Sequence, residues 1–146
     1  MIRVHRSALV AATAQAMYDL VADIPRYPQF LPWCRSATVH ESREDYVRAT
    51  LAIDYRGVRQ QFTTENTQEP GSSIRMRLLE GPFRSLAGEW RFMPLADPAA
   101  CKVELDLDYE FASALLGRVV GPAFNHIANT LMDAFIRRAE GLPPEK

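Results

Sequence analysis

Glu104, Asp106, Asp108 and Glu110 stand at alternate positions of one stretch, and paired carboxylates are what general acid–base catalysis calls for. They alternate, however, with Val103, Leu105, Leu107 and Tyr109. On a strand this puts all four carboxylates opposite the apolar side chains, so they read as a solvated charged face. Three histidines are scattered along the chain. His5 and His40 fall in strand-like stretches and read as surface groups. His126 lies between Phe124 and Ile127 on a helical pattern, where a lone imidazole reads as structural. A nucleophile needs a base beside it, and the chain has no G-x-S-x-G, Cys–His signature, H-E-x-x-H or glycine-rich phosphate loop. No catalytic residue is predicted. Cys34 and Cys101 lie outside any C-x-x-C or C-x-x-H spacing, which predicts two unbonded thiols, no metal site and a reducing, cytoplasmic setting.

Charge narrows the partners. Lys and Arg number 17 against 18 Asp and Glu, a net charge of −1. That excludes bulk attraction to DNA or to anionic lipid and leaves only a local patch. Arg75 and Arg77 share the outer face of one predicted strand, and Arg59 and Arg91 extend the patch onto its neighbours. This is the candidate RNA-facing surface. Glu65 and Glu89 share that face, and no base-stacking aromatic stripe accompanies it.

The elements that must position these groups follow from periodicity. A chain of 146 residues with 47% apolar content suits one domain, read here as 1–140 with a frayed tail over 141–146. Arg3 and Arg6 before Ser7-Ala8-Leu9-Val10 imitate a signal peptide, but the apolar stretch is short and a folded pattern continues through it. No run approaches the roughly 20 apolar residues that span a bilayer. Residues 1–10 read as a strand. Thr13 is placed to cap a helix whose apolar face is Met17, Leu20, Val21 and Ile24, and Pro25 stops it. Three prolines between Pro25 and Trp33 predict a short helical turn with a stiff exit. Six strands follow, over 33–42, 46–55, 58–68, 73–80, 83–94 and 100–111, with gaps so short that they must form an antiparallel meander. Ser113 then caps a helix over 114–139 with the stripe Leu116, Val120, Phe124, Ile127, Leu131 and Phe135. Gly117, Gly121 and Pro122 predict a kink in its first half.

Seven strands with one wet face need a cover for the other, and the last helix is the only large amphipathic element available. The predicted class is α+β, a helix-grip fold: a seven-stranded curved antiparallel sheet around a long C-terminal helix, with two short helices after the first strand. Sheet and helix can enclose an elongated apolar pocket. Its expected lining is Phe30, Leu31 and Trp33 from the proline-rich segment. The strands supply Phe62, Met76, Leu78, Trp90, Phe92, Leu105 and Leu107, and the helix supplies Phe124, Ile127 and Leu131.

Four blocks carry a resemblance. They are Tyr27-Pro28-Gln29-Phe30-Leu31-Pro32-Trp33-Cys34, Gly81-Pro82-Phe83-Arg84-Ser85-Leu86 with Gly88-Glu89-Trp90-Arg91-Phe92, Tyr109-Glu110-Phe111 with Ser113-Ala114-Leu115-Leu116, and Asp133-Ala134-Phe135-Ile136-Arg137-Arg138-Ala139. In that order the chain resembles the START-like family of coenzyme-Q-binding respiratory chaperones and bacterial ribosome-association toxins, also called polyketide cyclase or oligoketide cyclase/lipid transport. The resemblance implies a lipid-binding domain that holds ubiquinone or a similar polyprenyl quinone as ligand without turnover, with no cofactor, in support of respiration. This is the leading expectation, with the protein cytoplasmic and peripheral at the inner membrane. The alternative it implies is a toxin of a toxin–antitoxin pair that binds the large ribosomal subunit and blocks subunit joining. A polyketide cyclase or aromatase is the weaker alternative, because cyclisation needs polar groups converging inside the cavity.

Overall fold

Seven alternating stretches become seven strands in the computed structural model, which describes residues 1–142. Strand β1 (Ile2–Val10) leads to helix α1 (Ala14–Ala22) and a 3-10 turn (Ile24–Gln29). The meander follows as β2 (Cys34–Arg43), β3 (Tyr46–Tyr55), β4 (Val58–Glu69), β5 (Ser73–Glu80), β6 (Phe83–Pro94) and β7 (Cys101–Phe111). Helix α2 (Ala114–Ala139) closes the order. The sheet runs β1-β7-β6-β5-β4-β3-β2, antiparallel throughout. The first strand thus docks beside the last, with Ile2 opposite Tyr109 and Val10 opposite Cys101. This is the helix-grip arrangement.

Local chemistry sets the boundaries. The Thr13 hydroxyl accepts from the Ala16 amide at 3.0 Å, and the Ser113 hydroxyl accepts from Leu116 at 3.1 Å, each satisfying a first-turn N–H. Helix α1 ends at Ala22, short of Ile24, which the sequence places on its apolar face; Ile24 and Pro25 instead begin the 3-10 turn, whose Tyr27 hydroxyl donates to the Val21 carbonyl and ties the turn to α1. Helix α2 runs as one element through Gly117, Gly121 and Pro122, where the sequence predicts a kink. Both glycines pass over the Phe111 ring. The tail departs from expectation. Gly141 adopts left-handed geometry at φ 73°, its amide donates to the Arg138 carbonyl and the Leu142 amide to the Arg137 carbonyl. These two bonds form a Schellman cap, so Gly141 and Leu142 finish the helix instead of fraying. The rest of the expected tail, 143–146, lies outside the described residues.

The inner face is buried and mostly apolar. Val103, Leu105 and Tyr109 on β7 are fully buried, as are Met17 on α1 and Phe135 on α2. Both cysteines are buried free thiols, Cys34 opening β2 and Cys101 opening β7. No helix among the described residues is long and apolar enough to cross a membrane.

Gly88 on β6 has a packing reason. A Cβ there would stand 2.8 Å from Met76 Cε, 2.9 Å from Leu107 Cδ1 and 3.1 Å from the Asp106 carbonyl oxygen. Only a residue without a side chain lets β5 and β7 bring Met76 and Leu107 together above it. Gly88→Val is expected to lower stability in urea unfolding by about 1–3 kcal/mol, the usual cost of overpacking a filled interior. An unchanged midpoint would contradict this account.

Candidate functional site: an apolar cavity under the long helix

Two aromatic clusters hold α2 off the sheet. Toward its start, Phe124 meets Phe83 at 4.7 Å and Tyr109 at 4.8 Å between ring centroids, with Phe62 and Phe111 slightly farther. About 16 Å along the axis, Phe135 meets Tyr27 and Phe30 at 5.3 Å and Trp90 at 5.4 Å. Between the two lie Ile127, Ala128 and Leu131, too small to fill the space beneath them.

The result is a cavity of about 80 Å³ between sheet and helix. The predicted residues Trp33, Phe62, Met76, Trp90, Leu107, Phe124, Ile127 and Leu131 line it. Five others do not. Phe92 turns toward α1, edge-on to Tyr18 at 5.8 Å. Leu105, opposite Trp90 in the sheet, is fully buried in filled core. Phe30 packs behind Phe135 and carries the Arg138 guanidinium on its ring, and Leu31 is buried in the filled core. Leu78 sits beyond the last β5–β6 pair, Arg77 with Ala87, and is only half-buried. Periodicity finds the inward face and is blind to whether space there is filled.

The lining also includes Ile24, Tyr27, Ala49, Leu51, Thr64, Asn66, Leu86, Ala128 and Phe135, which the sequence reading leaves out of the site. Leu86 and Phe135 were legible as inward positions on β6 and α2. Counting by twos from Phe62 would also have found Thr64 and Asn66. The Thr64 hydroxyl donates to Asn66 Oδ1 at 3.2 Å. Tyr27 is the one titratable side chain of the lining among the described residues, and burial holds its phenol above the usual range. Nearby, burial raises the Tyr109 phenol to about 12 and the Cys34 thiol to about 11. None of these groups ionises near neutrality.

The outer face is a charge ladder. Arg75 pairs with Glu89 at 2.8 Å, and Arg91 bridges Glu89 and Asp106, each at 2.6 Å. Arg77 pairs with Glu65 across β4 and β5, and His5 with Asp106 across β1 and β7. Arg75 and Arg77 are therefore outward, with side chains 74% and 72% exposed, but each is matched by a carboxylate. Arg59 does not join them. It pairs with Asp54 at 3.4 Å on the part of β4 beyond its pairing with β5. The carboxylates of β7 face this side too, as the alternation requires, with Arg3 on Asp108 and Arg84 on Glu110. His126 is exposed on α2 and stacks on Tyr55 at 5.9 Å, while Arg56 at the β3–β4 turn lies over the same Tyr55 ring at 4.9 Å.

Comparison with known proteins places this geometry. Residues 10–136 match the sequence pattern of the family described as polyketide cyclase/dehydrase and lipid transport. The ribosome association toxin RatA of Pseudomonas aeruginosa is 45% identical over 139 residues, 95% of this chain and 96% of that protein. The mitochondrial coenzyme Q-binding protein COQ10 of Drosophila melanogaster is 30% identical over 144 residues, 94% of this chain and 60% of that protein. Among solved structures, the Zhui aromatase/cyclase of Streptomyces sp. R1128 superposes with a TM-score of 0.79 at 23% identity, covering 95% of this chain and 93% of that one, a likeness of fold.

The ladder makes stability depend on pH. The Arg75 and Arg91 hydrogen bonds hold Glu89 below the usual carboxylate range, and the Arg77 and Tyr46 hydrogen bonds do the same for Glu65. His5 and Arg91 lower Asp106 in the same way. A depressed folded-state pKa means that the unfolded chain binds more protons in acid, so stability rises with pH through that window. The thermal midpoint is expected to fall as pH drops from about 5 to about 3. Calorimetry on an Arg75→Gln, Arg77→Gln variant should give a shallower fall. Equal slopes would mean that the pairs are not made in solution.

Proposed function

Because the chain belongs to the polyketide cyclase/dehydrase and lipid transport family, we propose that it works by binding, without turnover, and that its partner is the ribosome. The observation that carries this reading is the 45% identity to a ribosome association toxin, nearly end to end on both chains. It reverses the order expected from the sequence, where quinone came first. The large subunit is the target the sequence resemblance implies, and such a partner puts the protein in the cytoplasm. Turnover finds little support in the cavity: Tyr27 commits its proton to the Val21 carbonyl and Thr64 commits its own to Asn66 Oδ1, which leaves the Asn66 amide N–H as an isolated donor with no acid or base beside it. Cyclisation needs charge-stabilising groups converging on an enolate.

For RNA contact, Arg75 and Arg77 are poor candidates, since Glu89 and Glu65 already neutralise them. Arg56 is the better one. It is exposed, has no carboxylate partner among the described residues, and forms a stack with Tyr55 and His126 that suits a phosphate beside a base. Sucrose-gradient sedimentation with purified ribosomal subunits tests the reading. The protein is expected to travel with the large subunit, less so as salt rises. Arg56→Glu should weaken this and reduce the salt slope by about 1, whereas Arg75→Glu with Arg77→Glu should leave it in place. A protein that stays at the top of the gradient at low salt overturns the proposal.

A second reading has its own support in the cavity. An apolar ligand gains about 0.8 kcal/mol for each methylene removed from water, which favours a lipid such as the polyprenyl quinone of the COQ10 name. The volume of about 80 Å³ is smaller than the roughly 150 Å³ that accepts benzene. The lining must therefore part to admit a ring. Mass spectrometry of lipids extracted from the protein, purified from its own host, is expected to find a quinone. Protein free of lipid removes this reading and leaves the ribosomal one intact.

A further inference from the structure

The wall of the cavity formed by β4 is polar where an apolar residue would serve to fill it. Phe62, Thr64, Asn66 and Gln68 point inward in succession, and the last three are 8%, 6% and 6% exposed. An amide side chain carries two N–H donors and an oxygen that accepts. The Asn66 oxygen is taken by the Thr64 hydroxyl at 3.2 Å. No hydrogen bond among the described residues uses its Nδ2, and Asn66 lines the cavity. Gln68 differs because it lies outside the lining: its oxygen accepts from the Tyr18 hydroxyl at 3.3 Å and its Nε2 is sealed in without a partner, out of a ligand's reach. Of the rest of the lining only the Tyr27 and Thr64 hydroxyls carry a good side-chain acceptor, and neither accepts from Nδ2. Asn66 Nδ2 is not one of the sealed, unpartnered side-chain atoms, which among the described residues are Gln68 Nε2 and Ser85 Oγ, so it stays reachable in a residue that lines the cavity. A ligand that covers it gains by supplying an acceptor, because a donor buried without one is costly.

We propose that Asn66 is a ligand-anchoring residue: its Nδ2 donates to a carbonyl-type oxygen of an apolar ligand, which enters oxygen-first and lays its hydrocarbon against Trp90 and Leu131. The ligand class is thus an apolar molecule with one hydrogen-bond-accepting head, and a pure hydrocarbon is disfavoured. This inference rests on the second reading above, that the cavity takes an apolar ligand.

Displacement of a fluorescent apolar dye from the full-length protein tests it, with decylubiquinone and dodecylbenzene as probes. The wild-type protein is expected to bind decylubiquinone roughly 10-fold tighter, about the worth of one net hydrogen bond. Asn66→Leu should lose that preference and leave dodecylbenzene binding unchanged or tighter. Thr64→Val keeps the Asn66 donor and should keep the preference, which separates anchoring from general disturbance of the wall. Circular dichroism checks that each variant folds. If Asn66→Leu does not fold, the wild-type comparison of the two probes decides alone. Equal affinity for both probes, or a preference that survives Asn66→Leu, overturns the anchor while leaving the lipid reading standing. Binding of neither probe to the wild type overturns the lipid reading and the anchor with it.

Discussion

The long helix α2, with α1 and the 3-10 turn at its side, has to cover one face of a seven-stranded sheet, and most of the structure answers to that constraint. The strands of such a sheet bury alternate residues and depend on this thin helical layer to cover them. Phe124 and Phe135 reach down from α2 into separate aromatic groups, and a helix braced at two points cannot also press flat between them. The cavity is the space the bracing leaves. Gly88 belongs to the same solution, since it lets Met76 and Leu107 approach each other beneath the helix. The cavity therefore needs no ligand to explain its existence.

Inside and outside are chemically separate. The outer ladder answers its own charges: cross-strand neighbours such as Arg75 with Glu89 and Glu65 with Arg77 stand opposite one another in the register. Singly such surface pairs are weak; together they carry the acid dependence of stability and leave each arginine of the ladder facing a carboxylate. The exposed Arg56–Tyr55–His126 stack lies where β3 and β4 turn beside α2. A macromolecular partner and a small apolar ligand would thus address different parts of the molecule, and the two proposed activities do not compete for the same residues.

The architecture was legible because its signals are periodic. Helix α2 spans the residues its stripe and Ser113 predict, and each strand boundary falls within a residue or so of the alternation. The site was less legible, for two physical reasons. Leu105 and Leu107 obey the same alternation, yet only Leu107 meets the cavity, because filling depends on partners distant in sequence. The arginine patch shows the same limit. The alternation puts Glu65 and Glu89 on its face, but which arginine each carboxylate meets is set only by the register of β4, β5 and β6. Thr64 and Asn66 were overlooked because their polarity hid an inward position that the strand period assigns.

The docking of β1 on β7 makes the two ends of the chain depend on each other in time. Ile2 has no strand to pair with until Tyr109 exists, and the inner face lacks its long cover until α2 follows. Loop closure over such separations is slow relative to local pairing. During synthesis the meander from β2 to β7 can zip in order, one hairpin at a time, while its inner face and the waiting first strand remain exposed. The native state is therefore reached late and in one closing event, once the whole chain is free to fold back on its own beginning.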